Sequence, residues 1–361
     1  MGTILLGVVA TILVFGFIIA FHEFCHLIAA KLFGVEVLRY SIGFGKPLVT
    51  KRIGETEYAI SALPLGGYVK LLTEEEIREA NDFRNPAWVQ GSLESKARWK
   101  QIAIIAAGGA GNILLGTLLF FCVAHFIGYD SPTLTIATVI DHAPAQMAGV
   151  RTGDRILALN GKEMKSWYDF VEAVLRDDGS PIRVKILRDR KEISLSISPT
   201  RKDGRWMIGV GPGNETMRMK ALPALETSCG MTYYLLKTQI EFFGKLFHKA
   251  VPGHHASNPD ENLSKQVAGP IGIFQILYRA VKDGLANFIY ITAVLNIAIG
   301  FMNLLPVYPI DGGRILFLGI EMVLRRPISR EMKQKAQILG IALFLLAFLF
   351  GTFNDIHHLF G

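Results

Sequence analysis

Apolar positions crowd into four stretches of the chain, roughly residues 4–30, 101–127, 285–305 and 337–352. Each is long enough to cross a hydrocarbon core, which takes about 20 helical residues. Residues 34–72 follow a different rhythm. "VEVLRYSIGFG", "PLVTKRIG" and "TEYAISALPLGGYVKLL" alternate as strands do, Gly54-Glu55 predicts a hairpin turn, and Gly43, Gly45, Gly66 and Gly67 predict bends. Phe44, Pro47, Leu48, Val49, Leu63 and Leu65 are apolar for a solvated loop, so the hairpin is expected to dip toward the membrane. Residues 133–203 read as a separate polar unit: strand, short helix, Gly-Asp turn, strand, Asn-Gly turn, helix, then the hairpin "IRVKILRD" and "EISLSISP". "RWMIGV" at 205–210 is expected to close it as a further strand. Residues 221–249 are amphipathic, interrupted by Gly230 and Gly244, and Glu226, Lys237, Glu241 and Lys245 favour an interfacial helix over a fifth span.

Composition supports this division. Of 361 residues, 50% are hydrophobic and 19% charged, with a mean hydropathy of +0.34. That is too apolar for an ordinary soluble enzyme and too charged for helices alone. The net charge of +7 matters through its placement. Lys31, Arg39, Lys51, Arg52, Arg84 and Lys100 lie between the first two spans, and Arg314, Arg325, Arg326, Arg330 and Lys333 between the last two. Residues 1–4 and 353–361 carry no Lys or Arg. The positive-inside rule then sets both basic loops in the cytoplasm and both termini outside. The first apolar run lacks a basic n-region and leads directly into polar residues, so it reads as a retained helix rather than a cleaved signal. Cys25, Cys122 and Cys229 are far apart and suggest neither a disulfide framework nor a thiolate zinc site.

The polar residues inside the first span carry the chemistry. In "FHEFCHLI", His22 and His26 are four residues apart and share one helix face. This is the HExxH geometry, in which two imidazoles reach one Zn²⁺ and the intervening Glu23 is placed as general base. Ionisable groups at membrane depth are expensive and point to function. A hydrolytic zinc takes three protein ligands and keeps one position open. In "NIAIGFMNLLPVYPIDGGRILF" the third span stops at a Pro-rich break and delivers Asp311, the candidate third ligand, with Gly312 and Gly313 allowing close backbone approach. The competing role for Asp311 is an N-cap on the helix starting at Gly312. Asp130 and Asp141 are weaker candidates because the topology puts them on the opposite side. His254 and His255, in a polar loop, read as solvated.

HEFCH in the first span, NLLPVYPIDGG closing the third and the unit between the second and third together resemble the site-2 protease family of intramembrane zinc metalloproteases, in its bacterial RseP type. "SIGFGKPL", "ALPLGGYVKLL" and "AGPIGI" add to the resemblance, and "HAPAQMAGVRTGDRILALNG" closely resembles a bacterial PDZ domain. The resemblance implies a polytopic α-helical membrane protein with four transmembrane helices, a membrane-associated β-hairpin and an inserted α+β PDZ domain. The expected divisions are 1–32 with HExxH, 33–100 with the hairpin, 101–127, the PDZ domain over 128–213, an extracytoplasmic helix and linker over 214–284, 285–311, and 312–361.

The resemblance implies one Zn²⁺ per chain on His22, His26 and Asp311, and Glu23 as base. It also implies Asn303 as a substrate-holding residue and the 34–72 hairpin as a substrate clamp. Asn112 and Phe44 join the suspected substrate contacts, as do Thr56, Glu57, Tyr58, Ala59 and Ile60, the strand chosen as the free edge. The implied reaction is cleavage of transmembrane segments of single-pass proteins, such as anti-sigma factors or remnant signal peptides, during regulated intramembrane proteolysis. The implied partners are those substrates, a peptide or substrate ectodomain at the PDZ domain and membrane lipid, with no nucleic acid. The implied location is the bacterial inner membrane, with the active site toward the cytoplasm and the PDZ domain outside. Cys25 replaces a common Gly, Gly109 stands where a GPxxN version has Pro, and Tyr308-Pro309 departs from the usual proline placement. The RseP type commonly has two PDZ modules, and one is found here. The intact Glu23 and Asp311 argue against a non-catalytic PDZ scaffold, and a metal transporter would leave the PDZ domain, the hairpin and Glu23 without a role.

Overall fold

The computed structural model describes residues 2–79, 86–175, 179–202, 205–250 and 269–360. Arg84, His254 and His255 lie outside the described residues. In chain order the elements begin with α1 (Gly2–Leu32), β1 (Val37–Ile53), β2 (Thr56–Leu71), α2 (Glu74–Glu79), α3 (Pro86–Gly91) and α4 (Arg98–Cys122), which a π-turn extends to Ile127. Next come β3 (Tyr129–Val139), α5 (Pro144–Met147), β4 (Arg155–Leu159), β5 (Lys162–Glu163), α6 (Trp167–Leu175), β6 (Ile182–Arg188) and β7 (Lys191–Ile197). The chain continues with β8 (Thr200–Lys202), β9 (Arg205–Met207), β10 (Val210–Met217), α7 (Ala221–Ala250), α8 (Pro270–Lys282), α9 (Leu285–Leu304), α10 (Asp311–Leu324) and α11 (Arg330–Phe360). They divide into two compact units, Ala124–Met219 and the remainder.

In the larger unit, four helices among the described residues have the length and composition to cross a membrane: Leu6–Leu32, Arg98–Ile127, Leu285–Leu304 and Arg330–His357. The second and fourth outrun the apolar pattern, because the helices continue through charged ends that hydropathy alone excludes. Large apolar side chains such as Leu114 and Leu346 remain about two-thirds exposed (70% and 68%), as a lipid-facing surface requires. Inside, Val14 and Ile18 of α1 pack with Leu277 of α8, and Phe120 of α4 packs with Ala293 and Ile297 of α9. Helix α7 runs unbroken through Gly230 and Gly244, correcting the expected interruption. A Thr117–Thr232 hydroxyl contact of 2.9 Å joins it to α4.

Two carboxylates tie the helix ends. Asp355 of α11 is buried and accepts N–H groups from Gly269, Ile271 and Gly272 at 2.9, 3.0 and 2.9 Å. It thereby caps the N-terminus of α8, where the orphan donors and the helix dipole favour an anion. Glu321 of α10 is also buried and takes Lys333 at 2.8 Å, Arg98 at 3.4 Å and the Ile328 N–H at 3.2 Å. Burial pushes its carboxyl up, but these partners outweigh burial and hold it below the usual range.

The hairpin is more folded than the alternation predicts. The turn falls at Gly54-Glu55, yet each long strand bends back on itself, β1 at Gly43 (φ +89°), where a Cβ would sit 2.6 Å from the Leu63 carbonyl. Residues 57–60 therefore pair on both sides. Tyr58 faces Tyr40 and Lys51, Ala59 faces Ser41 and Thr50, and Ile60 faces Ile42 and Val49. Of the expected free edge, Thr56 to Ile60, residues 57–60 form an inner strand. The edges are instead residues 49–53 and 67–71, the latter paired only with the first half of β1.

The second unit is a sheet in the order β10-β3-β4-β6-β7, with α6 closing its core through Trp167, Phe170 and Val174 against Ile156, Ile182 and Ile186. "RWMIGV" does not form one closing strand. Arg205–Met207 pairs with Thr200–Lys202, and Val210–Met217 pairs with β3. Between them Ile208 is drawn into the core and its carbonyl accepts the Ala145 N–H at 2.9 Å, which breaks the run. Burial raises the pKa of Asp154, but Arg188 at 2.7 Å and the Arg151 N–H at 2.8 Å together hold it below the ordinary carboxylate value.

Candidate active site

α1 is helical through His22 to His26 because its flanks are long apolar residues with no Pro, and this presents both imidazoles to one side. The two rings are buried, each 7% exposed. Their Nε2 atoms lie 3.1 Å apart, and Asp311 Oδ2 lies 3.0 Å from His22 Nε2 and 3.3 Å from His26 Nε2. Among the described residues these three form the only group of His, Cys, Asp or Glu able to hold a metal ion. A tetrahedral zinc with bonds of about 2.0–2.1 Å sets neighbouring ligand atoms about 3.3 Å apart. The triangle has that size, and two imidazoles with one carboxylate are a donor set used for catalytic zinc. The residues fit the ion.

Asp311 reaches this position because α9 ends at Leu304 and a short irregular segment, with a cis Tyr308–Pro309 bond, turns the chain into α10. Asp311 is the first residue of that helix rather than its cap. Ile310 occupies the N-cap and makes no side-chain capping bond. The alternative capping role is not the one the structure shows: the carboxylate turns to the two imidazoles.

The surroundings orient each histidine. His26 Nδ1–H donates to the Ile104 carbonyl at 2.8 Å, which leaves the Nε2 lone pair free for a metal. Gly108 of α4 lies over both rings. A Cβ there would come 2.6 Å from His22 Cε1 and Nε2 and would also strike His26 Nε2. Cys25, the departure from the common Gly, is accommodated across the interface by Gly111, whose missing side chain leaves room for Cys25 Cβ and Sγ. Asn112 is fully buried with Nδ2 3.4 Å from His22 Nδ1, beside a candidate metal ligand.

Glu23 is half-buried, and its Oε2 accepts the Val69 N–H at 3.0 Å. This contact, which no local sequence pattern signals, ties the candidate base to edge strand 67–71. Two further contacts fix the hairpin along α1: the Tyr40 hydroxyl donates to the Ala20 carbonyl at 2.8 Å, and a Cβ on Gly16 would lie 2.9 Å from the Pro64 carbonyl.

The other expected site residues divide. Phe44 is exposed near the bend of β1 and stacks on Tyr68 at 6.1 Å. Thr56 and Ala59 are buried, Glu57 is held by Arg39 at 2.6 and 2.8 Å, the Tyr58 hydroxyl accepts Lys31 at 3.2 Å, and Ile60 is exposed. Asn303 is half-buried one residue before the end of α9 and takes no part in the cluster's hydrogen bonds among the described residues. Asp130 and Asp141 belong to the other unit, where they accept from Thr216 at 3.1 Å and Gln146 at 2.9 Å.

Comparison with known proteins gives the same chemistry. The model of peptidase family M50 matches residues 10–347. A putative zinc metalloprotease of Campylobacter jejuni is 31% identical, over 98% of this chain and 94% of its own. The zinc metalloprotease RasP of Bacillus licheniformis is 26% identical over 98% and 99%. The regulator of sigma-W protease RasP of Bacillus subtilis is likewise 26% identical over 98% and 99%. Among solved structures, the PDZ domain of an SdrC-like protein from Listeria innocua matches at 24% identity, covering 24% of this chain and 99% of its own, with a TM-score of 0.21. With its four apolar helices, the chain is a bacterial membrane protein belonging to peptidase family M50, a zinc metalloprotease of the site-2 type.

Proposed function

We propose that the protein hydrolyses peptide bonds in transmembrane segments of single-pass membrane proteins. His22, His26 and Asp311 hold the zinc and Glu23 is the base. The observation that carries this is the 3.0–3.3 Å triangle of ligand atoms with Glu23 one residue along the same helix. Bound zinc lowers the pKa of a coordinated water and polarises a carbonyl. Glu23 takes the proton of the attacking water and passes it to the leaving amine. Val69 fixes the Glu23 carboxylate through its N–H, so the base is held by the same strand that receives substrate.

A substrate helix must unwind to expose a peptide bond, and its freed backbone groups need partners within the membrane. Strand 67–71 supplies them. Leu72 N–H bonds the Glu36 carbonyl while Val69 N–H points away to Glu23, so even positions serve the sheet and odd positions face its outer edge, where the Val69 N–H is already taken by Glu23. The substrate pairs there by strand addition, not along residues 56–60. The basic loops and the active site face the cytoplasm, and residues 124–219, a PDZ domain by motif and strand order, lie outside with both termini. The free edge of β10 would take a peptide or substrate ectodomain. Anti-sigma factors and remnant signal peptides are the substrate class.

Asp311→Ala should lose stoichiometric zinc in the purified chain while the four spans still insert. Unchanged zinc content would remove Asp311 from the ligand set. Single cysteines at Val69 or Leu71 should crosslink to a cysteine-bearing substrate helix, and cysteines at 50–52 should not. Crosslinks confined to 50–52 would move the docking edge to the other side of the sheet.

A further inference from the structure

Two buried polar atoms of the membrane unit lack hydrogen-bond partners among the described residues: Asn112 Oδ1 on α4 and Asn296 Oδ1 on α9. Both side chains are fully buried. Such oxygens are costly when left unpaired, so a pair of them in one helix bundle calls for a role. Their places are related. A Cβ on Gly300 would lie 3.1 Å from Asn112 Cβ, and Asn296 stands one turn before Gly300 on the same face of α9.

The His22 tautomer supplies the role. As placed, Asn112 presents its Nδ2 to His22 Nδ1 at 3.4 Å, which makes Nδ1 the acceptor and puts the ring proton on Nε2. Yet Nε2 is the atom directed at Asp311, and a ring that gives Nε2 to a metal carries its proton on Nδ1 and needs an acceptor there. Amide oxygen and nitrogen are exchanged by a half-turn of the side chain. We propose that Asn112 is the positioning residue of His22. Its Oδ1 accepts the Nδ1–H, and its NH₂ turns toward α9, where Asn296 Oδ1 is the acceptor. One half-turn gives both orphaned oxygens a partner and fixes the tautomer that leaves His22 Nε2 free. It matches what the Ile104 carbonyl does for His26. This assigns Asn112 to the metal centre rather than to substrate, and it rests on His22 being a ligand.

The test uses the full chain in detergent, with zinc affinity from chelator competition, the absorption spectrum of the cobalt-substituted protein, and the unfolding midpoint of the metal-free form. Asn112→Leu should weaken zinc by about 10–100-fold and alter the cobalt spectrum, while the metal-free midpoint stays within a few degrees of wild type. Asn112→Asp keeps the acceptor for Nδ1–H but gives up the NH₂ that faces Asn296, and should bind zinc within about tenfold of wild type. Asn296→Leu should weaken zinc less and add nothing to Asn112→Leu. Wild-type zinc affinity and cobalt spectrum in Asn112→Leu would overturn the proposal. If Asn112→Leu does not fold, a loss of about tenfold or more in zinc affinity in Asn112→Asp overturns it instead, and additive losses with Asn296→Leu remove Asn296 from the relay. His22→Ala separates the two levels. If it retains stoichiometric zinc, the ligand assignment fails; if it loses zinc while Asn112→Leu does not, only the positioning role fails.

Discussion

Glu23→Gln should keep about one zinc per chain and lose peptide hydrolysis by roughly 10³-fold, within the range by which a positioned base contributes. Glutamine has the shape of glutamate, and its amide oxygen can still accept the Val69 N–H that now bonds Glu23 Oε2 at 3.0 Å. The hairpin therefore stays docked on α1 and substrate still binds. What is lost is the ability to take a proton from water and return it to the departing amine. The loss should fall on kcat with KM nearly unchanged, the signature of an interaction made only on the way to the transition state. A zinc-loaded Glu23→Gln protein that cleaved a transmembrane substrate at near wild-type rate would show that another group is the base. A protein that lost zinc as well would show that Glu23 is needed to build the site.

The parts of this molecule that could be read from sequence are those whose signal is local. HEFCH shows its geometry because i and i+4 share a helix face wherever the helix lies, and the break after Asn303 exposes Asp311 as the polar residue delivered at membrane depth. The hairpin turn at Gly54-Glu55 is equally local. Period-2 alternation cannot say which strand becomes the edge, because that depends on β1 folding back at Gly43, which sets residues 57–60 between two paired neighbours. The cap on α8 was illegible for the same reason: Asp355 comes from more than 80 residues away and meets Gly269 only when α11 packs. Asn112 was visible as a polar residue in a span, but its partner on His22 was not. Gly108 gave the least signal, since a glycine in an apolar helix reads as helix packing of any kind until the crossing partner is known.

Gly108→Ala is accordingly the sharpest test of how the site is roofed. Alanine favours a helix over glycine by about 1 kcal/mol, so the change alone should strengthen α4. Its methyl group, however, would lie 2.6 Å from two atoms of the His22 ring and closer still to His26 Nε2. The helix cannot draw back easily, because the next residue, Gly109, is already against α9, where a Cβ would be 2.8 Å from the Gly300 carbonyl. The rings must rotate instead, and rotation opens the triangle whose sides are 3.0, 3.1 and 3.3 Å. Zinc affinity should fall by at least about tenfold, the lower end of what disturbing a ligand's orientation costs, and hydrolysis should fall with it. Gly319→Ala is the matched control, because a Cβ at Gly319 meets open space. It should bind zinc and cleave substrate as wild type does. Equal zinc affinity in Gly108→Ala and Gly319→Ala would mean that α4 does not press on the histidines, and that the site is shaped by α1 and Asp311 alone.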